Sequence, residues 1–332
     1  MPIIEAVDVR KVFRSIKREP GLGGAVRALF SRTYEEKVAV DGVNFSLEAG
    51  DLVGYLGPNG AGKSTTIKML TGILVPSAGV IRVAGLVPYN DRQRNADNIG
   101  AVFGQRSQLY WDLPLRESFE LLRAIYDVPR DRFVQNLRHF AEILDLDRFM
   151  GTPVRQLSLG ERMRGDFAAA MLHDPRIVFL DEPTIGLDVV AKEAIRTFIG
   201  AINRERGTTV ILTTHDLVDV EALARRVILI DDGSVIYDGS LARLRNEYGN
   251  ERTVVATLAK PDDVHIEGTY LESRDGSVVR LSFDRRRTSA DVVIRKLLEG
   301  YEVTDISIAE PDIDSIVRRI YVEGYPATVA PT

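Results

Sequence analysis

The sequence contains no cysteine among its 332 residues. A disulfide framework, a zinc–thiolate site and a thiol nucleophile are therefore excluded, and the composition is compatible with a reducing compartment. No run of about 18 apolar residues occurs, so we expect no segment that spans a membrane. The first residues, MPIIEAVDVRKVF, lack a basic stretch followed by an apolar core. This pattern predicts no signal peptide.

The chain also lacks an excess of basic residues, since its formal net charge is −5. An acidic balance argues against a nucleic-acid partner. Residues 10–37 are the exception, because they contain eight lysines and arginines against three glutamates. We expect an insertion at about 14–37 with a short amphipathic helix. It either packs as a solvated surface segment or contacts anionic lipid headgroups.

A glycine-rich loop is the most specific feature of the sequence. Residues 57–64 fit the phosphate-binding pattern G-x-x-x-x-G-K-[ST] and precede an apolar helical pattern. Glycines let successive backbone N–H groups turn inward around an anion, and the following helix presents its N-terminus to the same anion. Lys63 is expected to reach the β- and γ-phosphates, and the Ser64 hydroxyl to bind Mg²⁺. The predicted nucleotide-binding residues of the loop are Gly57, Pro58, Asn59, Gly60, Ala61, Gly62, Lys63, Ser64 and Thr65.

Two acids end the apolar run RIVFLDE at 176–182. A short and nearly uninterrupted apolar strand belongs in the middle of a parallel sheet. We predict that Asp181 holds Mg²⁺ through water. Glu182 points the other way and is predicted to polarise the attacking water as general base. The alternative is a structural pair that caps the next helix.

Several further motifs, in a fixed order, make residues 3–240 similar to the nucleotide-binding subunit of ATP-binding cassette (ABC) transporters. GPNGAGKST matches the Walker A motif of that family, and RIVFLDEPT matches its Walker B motif. LSLGE at 157–161 stands at the signature position, and GLD at 186–188 stands at the D-loop. Gln105 occupies the Q-loop position, and TTHD contains the switch histidine, His215.

This resemblance implies two subunits that close head to tail around two ATP molecules. Gln105 would then act at the catalytic centre and bind Mg²⁺, while His215 would orient the γ-phosphate and the water. Ser158 and Gly160 would face the γ-phosphate held by the other copy, at the N-terminus of a helix. Asp188, in the D-loop, would also belong to the nucleotide site. ATP would drive closure and hydrolysis would reverse it.

The chain departs from the family pattern at its signature motif and near its start. The family motif reads LSGGQ, whereas this chain has Leu159 and Glu161. Leu159 adds bulk, and Glu161 adds negative charge unless it turns towards Arg162 or Arg164. Phe13 is placed to stack on adenine, although the basic insertion interrupts the usual spacing, and a core position is its alternative.

Other aromatic and imidazole side chains are assigned from their surroundings in the sequence. His139 and His173 lie in helical patterns near charged residues, and His265 lies in a polar loop. All three are expected in solvent. Trp111 belongs either to the core or to a surface that meets a membrane subunit.

The order of strands and helices predicts an α/β fold, a P-loop NTPase cassette with a mostly parallel sheet. The cassette is expected at 1–240, with an inserted helical subdomain at about 112–172. After residue 240 the pattern predicts β-β-α-β-α. We therefore expect a small α+β accessory domain at 241–332 that ends in a loose tail. Our hypothesis is that it stabilises the dimer or docks the subunit.

One cassette, the insertion and the C-terminal extension together resemble the separate ATPase subunits of type-2 ABC exporters, such as drug-resistance exporters. The implied function is ATP hydrolysis that drives translocation through integral membrane permease subunits. The implied assembly is a homodimer or pseudo-dimer bound to the cytoplasmic face of the cell membrane. The ATPase of an ABC importer and a soluble non-transport ABC ATPase are the alternatives.

Overall fold

The computed structural model describes residues 1–16, 34–104, 106–214, 216–260, 263–309 and 313–323. The chain divides into two compact units, Met1–Asp238 and Gly239–Thr332. The expected helix of the basic insertion, the loose tail, Gln105 and His215 all lie outside the described residues.

The strands that begin in the first unit are β1 (Ile4–Ile16), β2 (Tyr34–Leu47), β3 (Leu52–Leu56), β4 (Ala78–Val83), β5 (Ile99–Phe103), β6 (Ile177–Asp181), β7 (Thr209–Thr213), β8 (Arg226–Asp231) and β9 (Ser234–Ser240). Within the described residues they form two sheets. One is antiparallel, with the order β2-β1-β4. The other has the order β5-β6-β7-β3-β8-β9, and the pairs from β5 to β8 are parallel.

The helices of the first unit are α1 (Lys63–Leu70), α2 (Arg92–Asn98), α3 (Leu115–Ile125), α4 (Arg130–Leu144), α5 (Leu159–Met171), α6 (Val189–Arg206) and α7 (Leu217–Leu223). A short 3₁₀ turn, Val154–Gln156, precedes α5. In the part of the chain that the structure describes, no helix combines the length and the apolar character needed to cross a bilayer.

Strand β6 shows why the larger sheet is buried on both faces. Ile177 and Phe179 pack in a core with α1 and the antiparallel sheet. Val178 and Leu180 point the other way, into a core formed with α4, α5 and α6. An apolar run without polar alternation therefore forms a strand that is covered on both sides. The carboxyl ends of the parallel strands meet at one edge, and this edge positions the site.

The second unit begins with α8 (Leu241–Tyr248) and contains β10 (Glu251–Leu258), β11 (Tyr270–Asp275), β12 (Val278–Asp284), α9 (Ala290–Gly300), β13 (Val303–Ala309) and α10 (Ile313–Glu323). Its strands form an antiparallel sheet with the order β11-β12-β10-β13. Val254, Leu281 and Phe283 on one face of this sheet pack with Val293 and Leu297 of α9.

The predicted fold class, an α/β P-loop cassette with a mostly parallel sheet, is confirmed. The sequence predicts three strands in the second unit, and the structure has a fourth, β11. The sequence also predicts no helix at 92–98 and no strand at 234–240, where the structure has α2 and β9. Strand β11 reads YLESRD, and every one of its residues is exposed. It therefore carries no alternation of buried and exposed positions, which is the signal that identifies a strand.

Candidate functional site

The glycine loop connects β3 to α1 and has the backbone that the sequence pattern requires. Gly60 and Gly62 have φ values of 90° and 106°, a region that favours glycine. Gly57 has no room for a side chain, because an added Cβ would lie 2.4 Å from the Ile230 carbonyl oxygen. The N-cap of α1 is Gly62, which offers no side chain to bond the first N–H groups of the helix. These N–H groups therefore suit an anion.

Lys63 is a buried cation held over the loop. Its side chain is only 7% exposed, and its Nζ donates to the carbonyl oxygens of Gly57 at 2.6 Å and Pro58 at 3.2 Å. Burial lowers the pKa of the ammonium, and the charges of Glu182 and Asp181 oppose that shift. An ammonium has three N–H donors. Two of these are used by the loop, which leaves one for a phosphate oxygen.

Asp181 links the loop to two neighbouring strands. Its Oδ1 accepts a hydrogen bond from the Ser64 hydroxyl at 3.2 Å and another from the Thr213 hydroxyl at 2.6 Å. The Thr213 hydroxyl in turn accepts from the Glu182 N–H at 3.2 Å. Our sequence analysis missed Thr213. The signal was available, because TTHD places a hydroxyl at the end of the strand that pairs with the one ending at Asp181.

Glu182 lies beside Asp181 in a cleft of about 400 Å³. Its φ of 54° is unusual for a residue other than glycine and turns the chain directly after the strand. The cleft is lined by Ser64, Lys68, Ile73, Phe103, Gly104, Arg106, Asp181, Glu182 and Ile185. The structure thus brings together the predicted hydroxyl ligand and both predicted acids.

The residues on either side of His215 are held in place. The Asp216 N–H donates to the Thr214 hydroxyl at 2.9 Å, and Lys192 donates to the Asp216 carboxylate at 2.6 Å. Burial works to raise the pKa of Asp216, but the hydrogen bond and charge of Lys192 outweigh it and lower that pKa. Asp216 also caps α7, since its side chain accepts from the Val218 N–H. Thr214 and Asp216, the described neighbours of position 215, are therefore each held by hydrogen bonds.

The signature segment forms the N-terminus of α5. Ser158 is its N-cap, and the Ser158 hydroxyl accepts from the Glu161 N–H at 3.2 Å. The Glu161 carboxylate accepts from the Ser158 N–H at 2.8 Å, which completes a capping box. These bonds lower the pKa of Glu161, with a smaller contribution from the charge of Arg164. Glu161 thus turns back onto its own helix end.

Of the residues predicted to bind nucleotide, the cleft lining contains Ser64 but neither the rest of the glycine loop nor Ser158. Among the described residues, the lining does not include Gly160, Asp188 or Phe13. Gly160 sits against α6, where an added Cβ would lie 3.1 Å from the Cβ of Ala191. Asp188 caps α6, because its side chain accepts from the Ala191 N–H at 2.8 Å. Phe13 lies on β1, is 40% exposed, and has the Lys11 Nζ 5.3 Å from its ring centroid.

The structure corrects the expectation that His173 lies in solvent and decides between the two positions expected for Trp111. His173 is half-buried rather than solvated. Its ring stacks on Tyr126 at a centroid distance of 4.0 Å, and its Nε2 lies 3.0 Å from the Ile99 carbonyl oxygen. Burial accordingly lowers the pKa of His173. Trp111 is 54% exposed, which excludes the core position.

The chemistry of the cleft fits Mg²⁺ bound together with a triphosphate. The described residues contain no group of three or more histidines and acids that could hold a metal ion without other ligands. Mg²⁺ keeps several waters and is usually bound through one or two protein oxygens plus phosphates. The Ser64 hydroxyl and the Asp181 carboxylate, 3.2 Å apart, match that requirement.

Comparisons with known proteins agree with this geometry. A family model described as ABC transporter matches residues 40–185. The chain is 33% identical to the daunorubicin resistance ATP-binding protein DrrA3 of Streptomyces coeruleorubidus, over 87% of this chain and 93% of that protein. It is 31% identical to the Nod factor export ATP-binding protein I of Ralstonia nicotianae, over 77% of this chain and 84% of that protein. Among solved structures, it resembles the dimeric ATP-binding cassette MJ0796 bound to ADP and Pi. The TM-score is 0.59 with 26% identity, over 72% of this chain and 98% of that one.

Proposed function

The chain belongs to the family of ABC transporter ATP-binding proteins, and we propose that it is the ATP-hydrolysing subunit of an exporter. The exporter assignment follows two relatives that are named for drug resistance and for Nod factor export. The membrane-spanning part would be supplied by separate polypeptides. The subunit would then bind those partners at the cytoplasmic face of the membrane.

One observation supports the assignment of the site best. Ser64, at the start of α1, Asp181, at the end of β6, and Thr213, at the end of β7, form a continuous hydrogen-bonded chain. Glu182 joins this chain through its N–H. The arrangement places the hydroxyl and the carboxylate of a P-loop metal site next to a second carboxylate.

Each side chain then has a defined part in phosphoryl transfer. Lys63 and the N-terminus of α1 bind the phosphates and stabilise the charge that develops on them. Ser64 and Asp181 would hold Mg²⁺, which supplies neutralisation of the β- and γ-phosphate charge when it is bound. Glu182 accepts the proton of the attacking water as general base. We assign Gln105 and His215 to the γ-phosphate and the water on the strength of the family motifs alone.

The proposed catalytic unit is a dimer. Dimeric cassette structures are among the similar solved structures. Ser158 and Gly160 lie on a helix end that does not line the cleft of their own copy. Ser158 is exposed, and the family motifs are the reason for assigning both residues to a nucleotide held by a second copy. Phe13, exposed on β1, is proposed to stack on the adenine.

The Glu182→Gln substitution tests this assignment. We expect ATP to remain bound while hydrolysis is lost, because the amide cannot accept the water proton. Phosphate release and nucleotide retention on the purified chain measure the two properties separately. ATP-dependent dimerisation, followed by size-exclusion chromatography, should persist in the same variant.

Glu193→Gln is a suitable control, because Glu193 is an exposed acid that pairs with Arg196 on α6. This control should hydrolyse ATP at the wild-type rate. Wild-type hydrolysis by Glu182→Gln would refute the assigned general base. Failure to recover an integral membrane protein with the wild-type chain from native membranes would refute the exporter assignment.

A further inference from the structure

A buried carboxylate joins the signature helix to the loop that follows Gln105. Asp166 lies on α5, about two turns beyond Ser158, and is only 2% exposed. Its Oδ1 accepts a hydrogen bond from the Ser107 hydroxyl at 2.9 Å and one from the Gln108 N–H at 3.0 Å. A single oxygen therefore holds two consecutive residues of the loop.

Other contacts fasten the same loop to the same helix. The Gln108 side-chain amide donates to the Asp166 carbonyl oxygen at 3.0 Å. The Ser107 hydroxyl also accepts from the Leu109 N–H at 3.1 Å, so it connects Asp166 to the loop backbone. Further along, the guanidinium of Arg162 lies 5.6 Å from the ring centroid of Trp111. The loop and α5 are thus connected at several points, with Asp166 at the centre.

Asp166 lowers the stability of the folded state, and the packing of α5 does not require a carboxylate at this position. Its Oδ2 is buried and has no hydrogen-bond partner among the described residues. Burial raises the pKa of this carboxyl, against the opposing hydrogen bonds from Ser107 and Gln108. A buried charge that is only partly satisfied destabilises the folded state. Ala168 and Ala169, which are also buried on this helix, place no polar group in the core and cause no such destabilisation.

We propose that Asp166 is a positioning residue that transmits nucleotide occupancy of one ATP site to the signature segment facing the other. The inference rests on the proposed function. Gln105 precedes Ser107 by two residues and is assigned to the nucleotide of its own copy. Ser158 begins the helix that carries Asp166 and is assigned to the nucleotide of the second copy. Through Asp166, a displacement of the loop displaces the helix end.

Hydrogen exchange on the full-length chain tests this coupling directly. The Glu182→Gln background keeps ATP intact, and the protein is held at a concentration where chromatography shows a single copy. ATP should then change the exchange of amides 158–162 in this background. Adding Asp166→Ala should abolish that change. Adding Asp166→Asn, which keeps an oxygen acceptor for Ser107 and Gln108, should retain it.

Steady-state kinetics provide the second measurement, in the chain with Glu182 intact. Asp166→Ala should lower kcat about tenfold or more, because the signature segment is misplaced. ATP affinity should stay within about twofold of wild type, since the glycine loop is untouched. If Asp166→Ala does not fold, Ser107→Ala removes the same bridge from the loop side and should reduce both the exchange response and kcat.

Ser118→Ala is the matched control. Ser118 is fully buried on α3 and accepts from the Tyr110 N–H at 3.2 Å, so it holds the same loop through a hydrogen bond that does not involve α5. It should leave the exchange response intact. An unchanged response in Asp166→Ala, or an equal loss in Ser118→Ala, overturns the coupling. A wild-type chain that binds no ATP overturns the proposed function instead, and the two failures are therefore distinguishable.

Discussion

At the scale of the residue, the Asp181 carboxylate depends on Thr213, the first residue of the TTHD motif, to which the sequence analysis gives no role. The Thr213 hydroxyl donates to Asp181 and accepts from the Glu182 N–H. It therefore fixes both acids relative to each other. Groups that orient a metal ligand affect metal binding nearly as strongly as the ligand does.

Thr213→Val should raise the Mg²⁺ concentration needed for half-maximal ATP hydrolysis by about 10- to 100-fold, because the carboxylate loses the donor that orients it. The measurement is the hydrolysis rate as a function of Mg²⁺ concentration. Thr213→Ser keeps the hydroxyl and should restore the wild-type dependence. A valine variant with an unaltered Mg²⁺ profile would show that Thr213 has no role in orienting Asp181.

Asp166 makes a prediction about stability and pH. Burial raises the pKa of its carboxyl from 3.8 to about 6, opposed by hydrogen bonds from Ser107 and Gln108 and by the charge of Arg162. At pH values between these two pKa values, the Asp166 carboxyl keeps its proton in the native state and loses it in the unfolded chain. The free energy of unfolding should therefore fall by on the order of 3 kcal/mol as pH rises through this window.

Asp166→Asn cannot titrate and should lack this decrease. Urea unfolding followed by the fluorescence of Trp111 measures the difference, because Trp111 is the single tryptophan and lies in the first unit. The difference between the two proteins should grow from about pH 4 to pH 6 and remain constant above. A difference that does not vary over this interval would contradict the raised pKa.

At the scale of the element, α5 depends on its capping box. The Glu161 carboxylate and the Ser158 hydroxyl each satisfy one backbone N–H at the start of the helix. Glu161→Ala should destabilise the first unit by about 1 kcal/mol, since one of these N–H groups loses its partner. Glu161→Gln retains an acceptor and should cost less. Urea unfolding of both variants measures the effect, and equal stability of the alanine variant and the wild type would argue against the cap.

The elements differ in how far the sequence predicts them. The apolar spacing of the sequence predicts helices at 114–127 and 131–145 and a strand at 176–182, each within two residues of α3, α4 and β6. The agreement is close because this spacing reflects burial that is regular along the chain. Strand β11 is not predicted, because it is an exposed edge strand whose polar residues follow no pattern. The glycine loop lies between a strand and a helix as the sequence predicts, because its glycines meet a backbone requirement that is local in the chain.

Contacts between distant elements explain what the sequence did not reveal in the site. Asp166 meets Ser107 across 59 positions of the chain, and Thr213 meets Asp181 across 32. Neither pairing leaves a local periodicity. The expectation that His173 lies in solvent was wrong for the same reason, because its contact partners, Ile99 and Tyr126, are far away in sequence.

At the scale of the whole molecule, the basic segment at 10–37 contrasts with a net charge of −5. We predict that the chain binds vesicles containing anionic lipid more tightly than neutral vesicles, and that added salt weakens this binding. The expected cause is attraction between headgroups and the lysines and arginines of the segment. Co-sedimentation with the two kinds of vesicle measures the effect.

Replacing Arg27 and Arg32 with glutamate should reduce that binding. Replacing Arg295 and Arg318 with glutamate is the matched control, because both are exposed in the second unit. The control changes the net charge equally and should bind as the wild type does. Equal binding to anionic and neutral vesicles would leave the segment as a solvated surface insertion.

The alternating sides of β6 restrict where this molecule can deform. A strand whose successive residues belong to two different cores cannot slide or tilt unless both cores repack together. Asp181 and Glu182, at its end, are therefore expected to keep their position when other parts of the molecule move. The buried apolar residues of α3, α4 and α5 belong to one core only, so this region can shift without repacking the other core.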